Sequence, residues 1–441
     1  MAFADLLEQV GSMGRFQMVH VILLSVPIVM MASHNLLQNF VAAVPPHHCT
    51  AHANQSASTL GLTEALLLSV PLDGKGKLER CRRYVHPQWN ILAKNSSEDL
   101  EKEEIEMEGC VDGWSYNKTD MSSTIITEWD LVCDLKSLKQ MGQTIYMGGV
   151  LVGALIFGGL SDRWFLESAR WLVLNKKPEE AVKNLKSVAR FNGRQAEGDK
   201  INLEMLQESM KKEMSCSQVN HSAVDLVRTR TMRTVTVCLS AAWFSTSFSY
   251  YGLSMDLQKF GMDIYLIQVL FGAVDIPAKI IITVAMSIAG RRPSLCVSLV
   301  LAGVTILSNM LVPFEMQTLR TSLAVLGKGC LAASFNCIYL YSGELQNGMG
   351  WVSTMARLGA MVAPLILLIS DTIVWIPGLI YGGAPILCGI FAYFLPETLN
   401  TPLPDTIQDA EERDFKNKNS EIKSEEVSLN DKNNIPLKEM P

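Results

Sequence analysis

Apolar residues along this chain come in long unbroken runs separated by strongly polar stretches. Eight runs stand out, over residues 16–39, 141–160, 235–257, 264–288, 294–313, 322–345, 351–369 and 376–395. A helix needs about 20 mostly apolar residues to cross a bilayer, and only helices or closed barrels satisfy their own backbone there. The pattern therefore predicts eight transmembrane helices and an all-α membrane protein. The run at 18–31 is not followed by a small-residue cleavage site and a soluble domain, so it is read as a retained first span rather than a removed leader. The predicted segments are 1–40 (N-terminus and first span), 41–140 (a long polar loop), 141–163 (second span), 164–234 (a second polar segment), 235–396 (six spans) and 397–441 (a polar tail). Within 164–234, Leu172, Ala181, Leu185, Val188, Leu203 and Leu206 recur at helical spacing, which predicts short amphipathic helices on the membrane face. The tail is acidic and lysine-rich with almost no aromatics, which predicts disorder.

Charge adds a sidedness. Arg163, Arg170, Lys176, Lys177, Lys183, Lys186, Arg190, Arg194, Arg228, Arg230 and Arg233 crowd the second polar segment, and Arg291 and Arg292 sit in a short loop between spans. Lys and Arg next to spans mark the cytosolic side, so both termini are predicted cytosolic and the 41–140 loop external. That loop independently carries three N-glycosylation patterns, at Asn54, Asn95 and Asn117. It also carries Cys49, Cys81, Cys110 and Cys133, an even set that an oxidising compartment would join as two disulfides in one of three pairings. The other six cysteines fall in spans or the cytosolic segment and read as small packing residues. The net charge of −6 is set largely by loop and tail and says little about substrate. No basic patch with interleaved aromatics points to nucleic acid. No metal cluster, cofactor motif or Walker loop is present, and His47-His48 reads as plain loop.

Chemistry inside the spans is sparse. A charge at mid-span costs about 2.5–3.5 kcal/mol on insertion scales and marks a functional position by default. Arg357 has no acid one helical turn away; Lys279 has Asp275, so a structural pair is its alternative. Lys328 is equally a candidate for pairing between helices. Aromatics are the second element: Tyr250 and Tyr251, with Trp243 and Phe244 near them, and Phe335 and Tyr339 on one face of a later span. Such rings give apolar contact area with a polar tip, and packing against lipid or another helix is their bland role. Gly149 and Gly153, four apart, suit close helix packing.

Several motifs carry a family resemblance. Met1-Ala2-Phe3-Ala4-Asp5-Leu6-Leu7 with Gly14-Arg15-Phe16-Gln17, the stretch Ala32-Ser33-His34-Asn35-Leu36-Leu37-Gln38-Asn39-Phe40, and Thr127-Glu128-Trp129-Asp130-Leu131-Val132-Cys133 resemble the organic anion transporters of the solute carrier 22 family, within the major facilitator superfamily. So do Ser161-Asp162-Arg163, Glu167-Ser168-Ala169-Arg170-Trp171-Leu172 and Pro396-Glu397-Thr398, in the family's order. The branch nearest the kidney and olfactory anion carriers fits best. The resemblance implies a plasma-membrane carrier whose two six-helix halves rock around a midplane cavity. It implies small organic anions as substrates, taken up in exchange for an internal dicarboxylate. It places Arg357, Lys279, Tyr250, Tyr251, Phe335 and Asn35 at the cavity. It makes Asp162 and Arg163, with Gly290, Arg291 and Arg292, halves of the intracellular gate motif.

The chain departs from that pattern twice. After Ser161-Asp162-Arg163 the family continues into a third span, whereas Trp164-Phe165-Leu166 follows here and resembles the end of a sixth span. Spans three to six are thus expected to be missing, roughly a hundred residues at about 20 per helix plus loops. After Ser342-Gly343-Glu344-Leu345 a Tyr-Pro-Thr and Arg-rich turn is also absent. Both edges are clean, as exon skipping or a gene-model error would leave. Removing four spans preserves sidedness downstream. Three readings remain open: an anion carrier that works in shortened form, as a homo-oligomer for instance; a transport-incompetent variant that is retained or modulates the full-length carrier; and a cation carrier, disfavoured by Arg357 and Lys279.

Overall fold

A computed structural model describes residues 3–11, 13–51, 62–73, 76–89, 105–119, 121–164, 167–210, 229–255, 263–313, 315–345, 349–370 and 373–399. Asn54, Asn95, the tail beyond 399 and the side chains of Asp162 and Arg163 lie outside the described residues.

Helix α1 (Phe3–Val10) precedes the first long helix α2 (Arg15–Val41). No residue of α2 is buried, and the helix is tied down near its C-terminal end. There Asn39 Nδ2 donates to the Ser254 carbonyl at 3.0 Å and to Gln268 Oε1 at 3.2 Å, and Phe40 stacks on Tyr265. A small domain follows: β1 (His47–Cys49), α3 (Leu62–Ser69), β2 (Arg83–Tyr84), β3 (Met107–Glu108), β4 (Trp114–Tyr116) and α4 (Ile125–Trp129). β1 pairs antiparallel with β4, and β2 with β3. Disulfides join Cys49 to Cys110 and Cys81 to Cys133. Arg83, 4% exposed, binds Glu108 at 2.8 Å and Asp112 at 2.6 Å and so knits the two sheets' ends together. The Thr-Glu-Trp-Asp motif is structural here. Thr124 and Thr127 cap α4 reciprocally, and Asp130 turns the chain at φ 48° and accepts from the Tyr116 hydroxyl at 2.8 Å. Asn117 is exposed, and the Thr119 hydroxyl donates to its Oδ1 at 2.6 Å.

The second long helix, α5 (Ser137–Trp164), leads to α6 (Ala169–Leu174), α7 (Pro178–Phe191), α8 (Gln195–Asp199) and α9 (Leu203–Ser209). These short helices differ from the expectation. Their apolar positions, Leu172, Ala181, Leu185 and Leu206 among them, do not face lipid but pack on one another and on Leu6 and Val10 of α1. The physical reason is that α1 supplies an apolar face of its own, so the segment closes into a small bundle.

The rest is α10 (Arg230–Ser254), α11 (Ile264–Ala273), α12 (Asp275–Ala289), α13 (Arg291–Leu311), α14 (Gln317–Leu345), α15 (Met349–Ile369) and α16 (Ile376–Ala392). The predicted single span over 264–288 breaks at Val274 into α11 and α12. Pro277 in the first turn of α12 has no N–H for the turn before it, which explains the break. Among the described residues six segments are long and apolar enough to cross a membrane, with α11 and α12 counted as one, against eight predicted. The two exceptions have separate causes. α10 is long enough but rich in Ser and Thr, of which Ser245, Thr246, Ser247 and Ser249 are buried. α16 is apolar but spans only 17 residues. Both nevertheless pack inside the bundle. α10 lies against α14, α15 and α16, and α13 lies between α14 and α16. A shared core centres on Trp243, Leu239, Leu299 and Tyr341, and Trp243 Nε1 donates to Ser342 Oγ at 2.8 Å. Gly359 lets α15 touch the α10 backbone at Phe244, where any side chain would overlap the carbonyl.

Candidate substrate cavity

Two charged clusters lie inside this bundle, and they differ in kind. The first is closed. Lys328 of α14 is 3% exposed; its Nζ donates to the Phe271 carbonyl at 2.8 Å and sits 3.4 Å from Asp275 Oδ1. The Tyr250 hydroxyl donates to Asp275 Oδ2 at 3.1 Å, and the Lys328 ammonium lies 4.8 Å from the Tyr250 ring centre. The α11–α12 break puts Asp275 within reach of α14, so a helix interruption becomes a pairing site. Asp275 is thus held by Lys328 across helices rather than by Lys279 along its own.

The second is a cavity of about 140 Å³. α2 contributes Met31 and Asn35, and α5 contributes Met147 and Val150. Trp243, Ser247 and Tyr251 come from α10, Phe335 and Tyr339 from α14, and Ser353, Ala356, Arg357 and Ala360 from α15. The Arg357 guanidinium donates to Ser353 Oγ at 3.2 Å, and among the described residues it forms no ion pair. Asn35 Oδ1 accepts from the Tyr146 hydroxyl at 3.0 Å, which bridges α2 and α5 and leaves the Asn35 amide N–H groups for the cavity. Trp243 packs edge-on to Tyr339, ring centres 4.4 Å apart, and to Phe335 at 6.1 Å. The result is an aromatic wall facing one guanidinium, a shape that can hold a flat apolar body by its ring faces and an anionic end by a forked donor.

Of the six residues expected at the cavity, the structure brings Arg357, Tyr251, Phe335 and Asn35 together. Tyr250 does not line it. It stands behind Phe335, ring centres 5.3 Å apart, with its hydroxyl spent on Asp275. Lys279 does not line it either. It is exposed on the face of α12 that also carries Thr283, and Thr283 is bonded to Asn336 of α14 at 3.1 Å. The sequence reading missed Ser247, Ser353, Ala356 and Ala360. The last three, with Arg357, repeat at helical spacing on α15 and could have been found from it.

At the loop between α12 and α13, Gly290 takes φ 99° and ends α12. The Glu397 carboxylate accepts from the backbone N–H groups of Arg291 at 2.9 Å and Arg292 at 3.0 Å, at the positive end of α13. A Cβ on Gly290 would lie 2.7 Å from that carboxylate. The Arg292 guanidinium lies over the Tyr393 ring, 4.2 Å from its centre, and the Tyr341 hydroxyl donates to the Pro396 carbonyl. The predicted gate residues of this half thus lock α13 to the end of α16.

Membrane-length helices around a cavity with one fixed cation define a multi-pass solute carrier. Residues 132–407 match the family of sugar (and other) transporters. Solute carrier family 22 member 6 of Danio rerio is 56% identical over 546 aligned residues, covering 97% of this chain and 98% of that protein. The Pseudopleuronectes americanus member 6 is 52% identical with both chains covered in full, and member 6-A of Xenopus laevis is 42% identical, with 100% of this chain and 99% of that protein covered. The chain belongs to the sugar (and other) transporter family of the major facilitator superfamily, in its solute carrier 22 branch, and is a transport protein rather than an enzyme. An alignment of 546 positions on 441 residues leaves roughly a hundred positions to the relative alone, the size of four helices of about 20 residues with their turns.

Proposed function

We propose that the chain is built to carry small organic anions across the plasma membrane by alternating access, in exchange for an internal dicarboxylate. The observation that carries this reading is Arg357, a guanidinium without a carboxylate partner among the described residues, set opposite Trp243, Tyr251, Phe335 and Tyr339 in one cavity. A fixed cation in low dielectric attracts a carboxylate and repels a cationic solute, so an organic cation fits the site poorly. Asp162 and Arg163 with Gly290, Arg291 and Arg292 act as the inner gate, Asn54, Asn95 and Asn117 carry glycans, and both termini lie in the cytosol. Lys279 joins the substrate path once the missing spans face α12.

A second reading rests on a specific observation. Lys279 and the Thr283–Asn336 pair are exposed at membrane depth, a face that a complete first half would cover. The shortened chain would then be transport-incompetent, retained or modulating a full-length carrier, unless a second copy covers that face. Uptake of a radiolabelled aromatic carboxylate, measured alongside surface biotinylation, separates the readings. Surface protein with uptake that Arg357→Ala abolishes supports the carrier; surface protein without uptake supports the modulator; uptake unchanged in Arg357→Ala rejects the site.

A further inference from the structure

A second cavity, of about 720 Å³, opens where α2 begins, between the end of α1 and the end of α7. Its wall is firmly held. Asn192 accepts from the Phe16 N–H at 2.8 Å and donates to the carbonyls of Val10 and Gly11, each at 3.1 Å. Arg194 donates to the Glu8 carbonyl at 2.8 Å, and Phe16 packs edge-on to Phe191. The lining joins two characters. Arg15 and Arg194, both exposed, supply charge, and Met18, Val19 and Phe191, with 55%, 43% and 52% of their surfaces open, supply apolar area. Met18 and Val19 lie about 4.5 and 6 Å along the helix axis from Arg15, at 1.5 Å per residue. The cavity therefore straddles the level at which charged headgroups give way to acyl chains. Glu8 on the rim cancels one of the two guanidinium charges, which leaves a single positive charge in excess.

We infer that this cavity binds an inner-leaflet phospholipid of one net negative charge, with its phosphodiester on Arg15 and Arg194 and the start of an acyl chain along Met18, Val19 and Phe191. Basic pockets beside spans on the cytosolic side suit anionic headgroups. The single excess charge favours a serine- or glycerol-type headgroup over a multiply phosphorylated one. The bound lipid ties α1 and the α6–α9 bundle to the first span at the membrane surface. The leaflet named here rests on the cytosolic placement of the N-terminus proposed above.

Native mass spectrometry of the purified full chain, equilibrated with phosphatidylserine or phosphatidylcholine, tests the inference. Phosphatidylserine is expected to be retained about fivefold or more over phosphatidylcholine, and Arg15→Gln to remove that preference, while Lys200→Gln, at the opposite end of α8 from Arg194 and outside the cavity lining, keeps it. A phosphatidylserine bearing a photoreactive group near the glycerol should label Met18, Val19 or Phe191 in the unsubstituted chain, a readout that needs no variant to fold. Equal retention of both lipids, labelling elsewhere, or displacement by inorganic phosphate or glycerophosphoserine as readily as by the lipid would overturn it. An N-terminal epitope reached by antibody in unpermeabilised cells would overturn the leaflet alone.

Discussion

Arg357 and Lys328 are both cations inside the helix bundle, yet their surroundings give them opposite work. Lys328 is nearly sealed, with a carbonyl, a carboxylate and a ring around its ammonium. Removing one partner of such a pair strands the other charge, so Lys328→Ala is expected to destabilise the purified protein by about 3 kcal/mol, the lower end of the range for buried pairs because Asp275 keeps 21% of its side chain exposed. Thermal unfolding in detergent measures this, and Lys328→Met with Asp275→Leu should recover most of the loss. Arg357 has only the Ser353 hydroxyl as a described hydrogen-bond partner, so its fork is available to an anion. A charge-assisted hydrogen bond is worth about 1.5–3 kcal/mol, so Arg357→Ala should weaken binding of a fluorescent organic anion about 10- to 100-fold. Arg357→Lys should fall between, because a single ammonium cannot reproduce the planar fork. The sequence showed both cations, since a charge in an apolar run is conspicuous. It put Arg357 ahead and left Lys328 between a cavity role and pairing across helices, because the partner of Lys328 comes from another helix 53 positions away.

At the scale of elements, the N-terminus of α13 is closed by a carboxylate from the far end of the bundle. Glu397 accepts from Arg291, Arg292, Thr398 and Leu399. Glu397→Ala should therefore cost about 1–2 kcal/mol in the same unfolding assay, as the loss of a cap at a helix dipole does. Gly290→Ala should cost at least as much, from its left-handed φ and its approach to the carboxylate. In the small domain between α2 and α5, half-buried His47 has its pKa lowered, chiefly by burial and against the bond to the Pro45 carbonyl. The fold holds the neutral ring, so the β1–β4 pair keeps its full stability above the ordinary value of 6.5 and loses it as pH falls below 6.5 toward the lowered folded value. The protection of that domain's amides, referred to the intrinsic exchange rate at each pH, should fall from pH 7 to 5.5, and His47→Asn should flatten that change. Long apolar runs made most spans legible in the sequence. The sheets were not legible: β1 and β4 are three residues each and pair across 65 to 69 positions, a contact that no local pattern encodes. The α1 docking escaped for the same reason, since its face is completed only by residues beyond Leu172.

On the scale of the whole molecule the two halves are unequal. The six-span half has its own core, while the other half is α2 and α5, of which α2 buries nothing. Alternating access requires two bodies that rock around one site, so the cavity here has a rigid wall on one side and a helix pair on the other. The cavity volume fits this: about 140 Å³ is below the 300–1,000 Å³ usual for ligand pockets, because one side is open where helices of a complete first half would stand. The exposed Lys279, set in α12 on the same open side as Thr283 and Asn336, needs the same covering. Lipid replaces lost apolar contacts at little cost, so the chain can insert and fold without the missing helices, but it cannot hydrate an ammonium at membrane depth. Grafting the roughly hundred-residue segment of the Danio rerio relative between Arg163 and Trp164 is therefore expected to raise anion uptake at least tenfold per molecule at the cell surface. It should also protect Lys279→Cys from a lipid-soluble maleimide while opening it to a water-soluble one. Equal uptake with and without the graft would show that the six-helix half and two spans suffice, and would remove the need for any partner on that face.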